Sequence, residues 1–329
     1  MVAIKQANDA SISEATGLLK SGGLVAIPTE TVYGLGANAL DGTAVAKIFT
    51  AKGRPQFNPL IVHVPDFESA ARYVVTNDHA VMIAKKFWPG PLTMILPRRN
   101  DCAVSELCSA GLSTLAVRVP AHPVAQKLLR AAGVPVAAPS ANRSGTISPT
   151  TPQHVAESLG DAVDMILAAG SCDVGLESTV VDVSGEIPVV LRAGAVTAED
   201  LAACIGIDVA YDFGDHGTDV KSPGQLLKHY APSIPLRMGA VDIEPGEALL
   251  GFGSLKFMGV KDGGFAKDLP AHALRNLSEA GDLNEAAANL FRMMHELDRS
   301  ENKRIAVMNI PGTGIGIAIN DRLKRAAHD

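Results

Sequence analysis

Between residues 10 and 206, strand-length apolar runs alternate with amphipathic segments that carry their own stop signals. "SISEATGLLKSGG" has Ser11 with Glu14 three positions on, a capping-box pattern, and ends at Gly22 and Gly23. "LVAIPT" follows as a buried strand. "TAVAKIFTAKG" puts Val45 and Phe49 on one helical face before a basic loop, and "NPLIVHV" is the next strand. "DHAVMIAKKFW" is helical and halts at "PGPLT", and "LTMIL" is extended. "TLAVRVP", "PVAQKLLRAAG" and "VPVAAPSA" repeat strand, helix, strand. "ESTVVDV" and "IPVVLRAG" read as short strands about a Gly turn, and "TAEDLAACIG" as a capped helix. Such interleaving specifies an α/β fold.

Residues 208–235 break the rhythm, being rich in Gly, Pro, Asp and His, and read as an extended linker. The pattern then restarts with a strand, "ALLGFG". An amphipathic helix follows, "DLNEAAANLFRMMHELDR", whose stripe is Leu283, Ala287, Leu290, Met294 and Leu297. A strand, "RIAVMNI", and a last helix, "AINDRLKRAA", complete it. A chain of 329 residues that is 47% hydrophobic can bury two cores, so we expect domains at 1–207 and 236–329 joined by the linker.

Composition removes several function classes. A net charge of −6 and 4% aromatics argue against a general nucleic-acid binder, which would need a local basic groove and stacking platforms. The four cysteines, Cys102, Cys108, Cys172 and Cys204, form no C-x-x-C pair, so zinc-ribbon and thioredoxin readings fail and a reducing cytoplasm is expected. The N-terminus has no signal-peptide apolar region, and no apolar run approaches the ~18 residues of a membrane helix.

Common nucleotide and hydrolase spacings are absent. There is no Walker motif and no G-x-S-x-G; "PGTGIG" at 311–316 lacks the full dinucleotide fingerprint and reads as a tight strand-to-helix turn. His295-Glu296 opens an H-E-x-x pattern that breaks at Arg299, which leaves a polar helix face. The informative residues stand at strand tips. Lys52 and Arg54 flank Gly53 on a proline-stiffened loop suited to a polyphosphate. "APSANRSGTISPT" supplies Ser140, Asn142, Ser144 and Ser148 after a strand. Arg118 lies within an apolar strand, where its charge needs an internal carboxylate or an anionic ligand, and Arg192 repeats the situation. "PTETV" and "GLESTVVDV" bring Thr29, Glu30, Thr31, Glu177, Ser178 and Thr179 to strand ends. Cations gathered at tips of a net-acidic chain imply a concave anion site, with catalysis by positioning and charge.

The segments "PTETVYGLGA", "AKGRPQFNPLIVHV", "WPGPLT", "VRVPAHP", "APSANRSGTISPT", "ESTVVDV" and "LRAGA", in this order, closely resemble the YrdC-type threonylcarbamoyl-AMP synthases. "SPGQLLKHYAP" and "AINDRLKRAA" resemble the longer, two-domain form. The resemblance implies a twisted, open α/β sheet enclosing a large cavity, plus a small Rossmann-like C-terminal domain and a linker able to fold over the cavity. It implies an enzyme that joins L-threonine, bicarbonate and ATP into threonylcarbamoyl-AMP and pyrophosphate. Mg²⁺ would accompany the ATP. The product would pass to a transferase complex that modifies tRNA next to the anticodon.

By the same resemblance, Thr31, His63, Arg118, Ala138 and Ser178 would surround threonine, with Arg118 on its carboxylate. Arg54, Asn58, Thr114, Ser140, Asn142, Ser148, Arg192 and Lys228 would surround ATP, and Lys52 and Arg54 would be catalytic. His229 and Tyr230 would belong to the lid, and Gly34 and Gly36 would let backbone run beneath the ligand. The linker departs from the family's usual P-G-M-K-Y-R-H-Y-A-P, with Gln225, Leu226, Leu227 and Lys228 in place of M-K-Y-R, which removes a bidentate arginine. The rival reading is a double-stranded-RNA-binding module with a basic cavity, whose affinity would fall steeply with salt; weak RNA contact is compatible with either. A hydrogenase-maturation carbamoyl transferase would be expected to bring zinc-binding cysteine pairs and further domains.

Overall fold

A computed structural model describes residues 2–213, 229–256 and 258–328. Among these, eleven strands form one mixed sheet in the order β1 (Ala3–Gln6), β8 (Met165–Ala168), β2 (Val25–Ile27), β3 (Gly34–Asn38), β7 (Val136–Ala137), β4 (Ile61–His63), β6 (Thr114–Arg118), β5 (Leu92–Pro97), β9 (Thr179–Asp182), β10 (Val189–Arg192) and β11 (Ala210–Tyr211). A second sheet, wholly parallel, runs β12 (Leu236–Arg237), β15 (Arg304–Val307), β13 (Glu247–Gly251), β14 (Leu274–Asn276). The molecule is thus α/β in both parts. No described helix is long and apolar enough to cross a membrane.

Local signals explain most elements. The helix Gly42–Lys52 buries Val45 and Phe49, and stops where Gly53 turns left-handed at φ 60°. Lys52 therefore closes a helix rather than riding on a loop. The helix Asp9–Lys20 is capped by Asn8, with Ser11 bonding back to the Asn8 N–H; Ser11 is not itself the cap, and Glu14 instead pairs with Lys5. The helix Leu283–Leu297 buries Ala287, Leu290, Met294 and Leu297 of the expected stripe. The motif at 311–316 is the turn into the helix Gly316–Ala326, whose start Asn320 ties to the Ile310 and Gly316 carbonyls.

Strand alternation decides where the site can be. Along β4, β5 and β6, Val62, Met94, Leu96, Leu115 and Val117 point into the largest core. Ile61, Ile95 and Ala116 point to the opposite face and pack with Val180 and Leu191. His63, Thr93, Thr114 and Arg118 share that second face by the two-residue period. The second domain's core is continuous with this side, because Val32, Ile147, Leu176 and Ala193 pack in one cluster with Leu290, Phe291, Ile319 and Leu323. The first residues of the expected linker pair with β10, and its last join the body: Ala231 bridges Thr146, and the Pro235 carbonyl accepts from Ile305.

Candidate active site

Register places the polar row. Arg118 at the end of β6 lies opposite His63 of β4 on one side and Thr93 of β5 on the other. Around this row is a recess lined by Thr31, Val32, Arg54, Ile61, His63, Arg118, Ala138, Pro139, Ser140, Glu177, Ser178, Arg192, His229 and Tyr230. Residues from eight separate stretches of chain converge there, among them the expected Thr31, Arg54, His63, Arg118, Ala138, Ser140, Ser178, Arg192, His229 and Tyr230. The recess itself measures only about 40 Å³, room for a few ordered waters, with the almost fully buried Tyr230 packed into it.

The Arg118 charge is met from inside the protein. Nη2 donates to Glu30 Oε1 at 2.5 Å, Nη1 to Thr31 Oγ1 at 2.8 Å and Nε to the Gly90 carbonyl at 3.3 Å. The internal carboxylate is therefore the partner in this structure. Burial is the largest single influence on Glu30 and works to raise its pKa, but the Arg118 charge and the hydrogen bonds to the carboxylate together outweigh it, and the carboxyl lies below its ordinary value. A guanidinium has five N–H donors, so among the described residues one on each Nη is left over to fork onto a second carboxylate.

The Thr29–Thr31 tip has a fixed polarity. Thr29 Oγ1 donates to the Val32 carbonyl at 2.6 Å, so its proton is committed. The 2.8 Å contact between the two hydroxyls then takes the Thr31 proton. Thr31 Oγ1 already accepts from Arg118, and its remaining lone pair can receive only a donor. Gly34 and Gly36 serve the sheet rather than a ligand: an added Cβ would come within 3.2 Å of Ala138 Cβ and 3.0 Å of Val136, respectively.

Arg54 is held by one edge. Nε donates to the Asn58 carbonyl, and Nη2 to Asn58 Oδ1 and the Pro59 carbonyl at 2.6 and 2.7 Å. Neither N–H of Nη1 has a hydrogen-bond partner among the described residues, although the side chain is buried. Burial, reinforced by the Arg192 charge, pulls its pKa down to about 9. Arg192 grips Ser178 through both its carbonyl and its hydroxyl, and that hydroxyl also meets Thr93 at 2.8 Å. Burial and the Arg118 charge hold His63 neutral, with its pKa near 3.

Four expected residues form a layer behind the wall. Lys52 Nζ donates to the Ser140 and Asn142 carbonyls at 2.6 and 2.5 Å, so it fastens the loop instead of facing the recess. Burial and then the Arg54 charge pull it well below the ordinary lysine value. Asn58 orients Arg54, Asn142 Nδ2 ties to Thr146, and Ser148 Oγ donates to Glu177 Oε1. Thr114 stands at the far end of β6 from Arg118, on the same face. Lys228 lies outside the described residues. His295 is only half-buried on its polar helix face, where its ring stacks on His154 at 3.9 Å and contacts the Ser148 carbonyl.

Glu30 and Glu177, which the motifs contain without a role attached, pair with the arginines at the site. Both follow one rule, a carboxylate beside Ser or Thr at a strand tip, and both become the acceptor for a buried arginine. Among the described residues no group of three His, Cys, Asp or Glu could hold a metal ion.

Comparison with known proteins agrees with this geometry. The model of the Sua5/YciO/YrdC family, described as telomere recombination, matches residues 17–194, and that of the threonylcarbamoyl-AMP synthase C-terminal domain matches 196–328. The threonylcarbamoyl-AMP synthase of Bacillus subtilis is 40% identical over 97% of this chain and 94% of its own. That of Pyrococcus abyssi is 39% identical over 95% and 93%. The crystal structure of P. abyssi Sua5 complexed with L-threonine has a TM-score of 0.85 at 36% identity, covering 99% of this chain and 97% of that one. E. coli YciO, at 24% identity and TM-score 0.53, shares the fold over 61% of this chain. The chain belongs to the Sua5/YciO/YrdC family, in the two-domain form that carries the threonylcarbamoyl-AMP synthase C-terminal domain.

Proposed function

We propose that this protein synthesises L-threonylcarbamoyl-AMP from L-threonine, bicarbonate and ATP, releasing pyrophosphate. One observation carries the reading at the level of geometry: a single recess joins Arg118, with two donors to spare, to Arg54, with a whole Nη1 to spare. The first suits an amino-acid carboxylate and the second a phosphate. Full-length relatives bearing the synthase name support it independently.

In this reading Thr31 accepts from the threonine amine, and neutral His63, Ala138 and Ser178 shape the pocket. Arg54, Ser140 and Arg192 meet the nucleotide, with Thr114 further along its path, and Lys228 is assigned to ATP on the family resemblance alone. Lys52, Asn58, Asn142 and Ser148 act through the residues they fasten. The amine and bicarbonate give a carbamate and water; a carbamate oxygen attacks the α-phosphorus, and the bond to pyrophosphate breaks. Clustered cations lower the repulsion among three anionic substrates. Mg²⁺ belongs here as part of the ATP substrate, because the carboxylate in the recess wall, Glu177, and the one paired with Arg118, Glu30, are already engaged. The present recess is too small for ATP, so His229 and Tyr230 must withdraw for entry and return to exclude water.

We assign catalysis to 1–207, the lid to 208–235 and its anchorage to 236–329. The product passes to a cytosolic transferase complex that modifies tRNA beside the anticodon, with weak RNA contact at most. Mass spectrometry after incubation with all three substrates should find the adenylate and one pyrophosphate, each lost when threonine or bicarbonate is omitted. Pyrophosphate release indifferent to threonine would overturn the reading.

A further inference from the structure

Arg322 lies outside the first domain, on the helix Gly316–Ala326, yet it is completely buried. Its Nε donates to Glu177 Oε2 at 3.0 Å, its Nη2 to the Ala193 carbonyl at 2.9 Å and its Nη1 to Asp321 at 2.9 Å. The guanidinium carbon sits 5.3 Å from the centre of the Tyr230 ring. Glu177 is itself part of the recess wall, and its other oxygen accepts from Ser148. A carboxylate in the wall of a polyphosphate site repels the ligand unless its charge is cancelled and its lone pairs are turned away. Arg322 does both.

We infer that Arg322 is a positioning residue for the nucleotide: by pairing with Glu177 it removes a negative charge from the wall, and so makes the second domain part of the active site. The inference rests on the functional reading above. Arg54 holds its free edge toward the same recess, so an unpaired Glu177 would compete for the cation that the phosphates need. The pairing also explains how one helix secures the Tyr230 ring and the Glu177 carboxylate at once.

Steady-state kinetics with ATP varied at saturating threonine and bicarbonate test this. Wild-type adenylate formation is measured first; its absence would remove the functional reading and this inference together. With it present, Arg322→Met should raise the KM for ATP at least about tenfold while moving that for threonine by less than about threefold, as expected for an unpaired buried charge beside an anion. Arg322→Met/Glu177→Gln, which removes both charges and keeps the volumes, should recover most of the loss. Arg322→Lys should fall between. A residue that only docks two domains would not be rescued by neutralising Glu177. If Arg322→Met alone does not fold, the double variant still decides: folded protein with ATP KM near wild type supports the inference. A folded double variant with ATP and threonine equally impaired, or a folded single variant with unchanged ATP KM, overturns it.

Discussion

Arg118 carries a charge into the middle of a sheet, and what keeps it there is local chemistry rather than a ligand alone. Its side chain and that of Glu30 are 4% and 9% exposed, so neither is rescued by water when the other is lost. Arg118→Ala should destabilise the fold by about 3–5 kcal/mol in denaturant melts, because it leaves a buried carboxylate with backbone N–H donors, Ala121 among them, and no counter-charge among the described residues. Arg118→Met/Glu30→Gln should lose far less stability, yet both variants should fail to use threonine. Equal stability of single and double variants would remove the pairing argument. The need for a partner was legible in "TLAVRVP", since burial of an unpaired guanidinium is prohibitive. Its identity was not, because Glu30 lies 88 positions away and only the register of the sheet brings the two together.

Helices and strands were legible where caps and glycine stops agreed with periodicity, as in Gly42–Lys52, Pro123–Ala132 and Ala198–Ile205. The strand Gly34–Asn38 was not read as one, since two glycines hide it from any apolar count, and they are there because neighbouring strands approach too closely for a Cβ. On the helix Leu283–Leu297 the buried stripe was legible and the other face is polar as expected, but its contacts were not legible. His295 on that helix stacks on His154 of the helix Pro152–Leu159. Burial pulls both rings below the usual histidine value, His154 to about 3. Glu157 and Asp298 oppose the shift at His295; at His154, Glu296 opposes it, while His295 and Arg292 add to it. Separated rings would bind protons that stacked rings refuse. The contact's contribution is therefore present above pH 6.5 and is lost as pH falls from there toward 3. Its slope is at most about 1.4 kcal/mol per pH unit for each histidine. Melting wild type and His154→Gln between pH 7.5 and 5 should show the steeper loss in wild type. Parallel curves would mean that the stack contributes nothing to the acid response.

The division into two α/β units could be read from the point where periodicity restarts, but not that the second unit packs into one core with the first. The residues that meet across the boundary look ordinary in their own neighbourhoods: Ser148 with His295, Glu177 with Arg322, and Gly175 with Ala288. Gly175 is the tightest of these. At φ +71° it lies against the backbone of the helix Leu283–Leu297, where an added Cβ would stand 2.5 Å from the Ala288 carbonyl oxygen and 2.6 Å from its Cα. Backbone cannot yield as a side-chain tip can, so Gly175→Ala must push the helix outward. The helix carries Phe291, which stacks on Tyr230 at 5.5 Å, and Tyr230 in turn fills the recess under Arg322. Overpacking and left-handed strain together should cost about 2–4 kcal/mol. Displacement of the helix should also raise the ATP KM, because Glu177 follows Gly175 by only two positions and depends on the displaced domain for its counter-charge. A Gly175→Ala protein that melts lower yet keeps wild-type ATP kinetics would show that the two domains share a core without sharing a site.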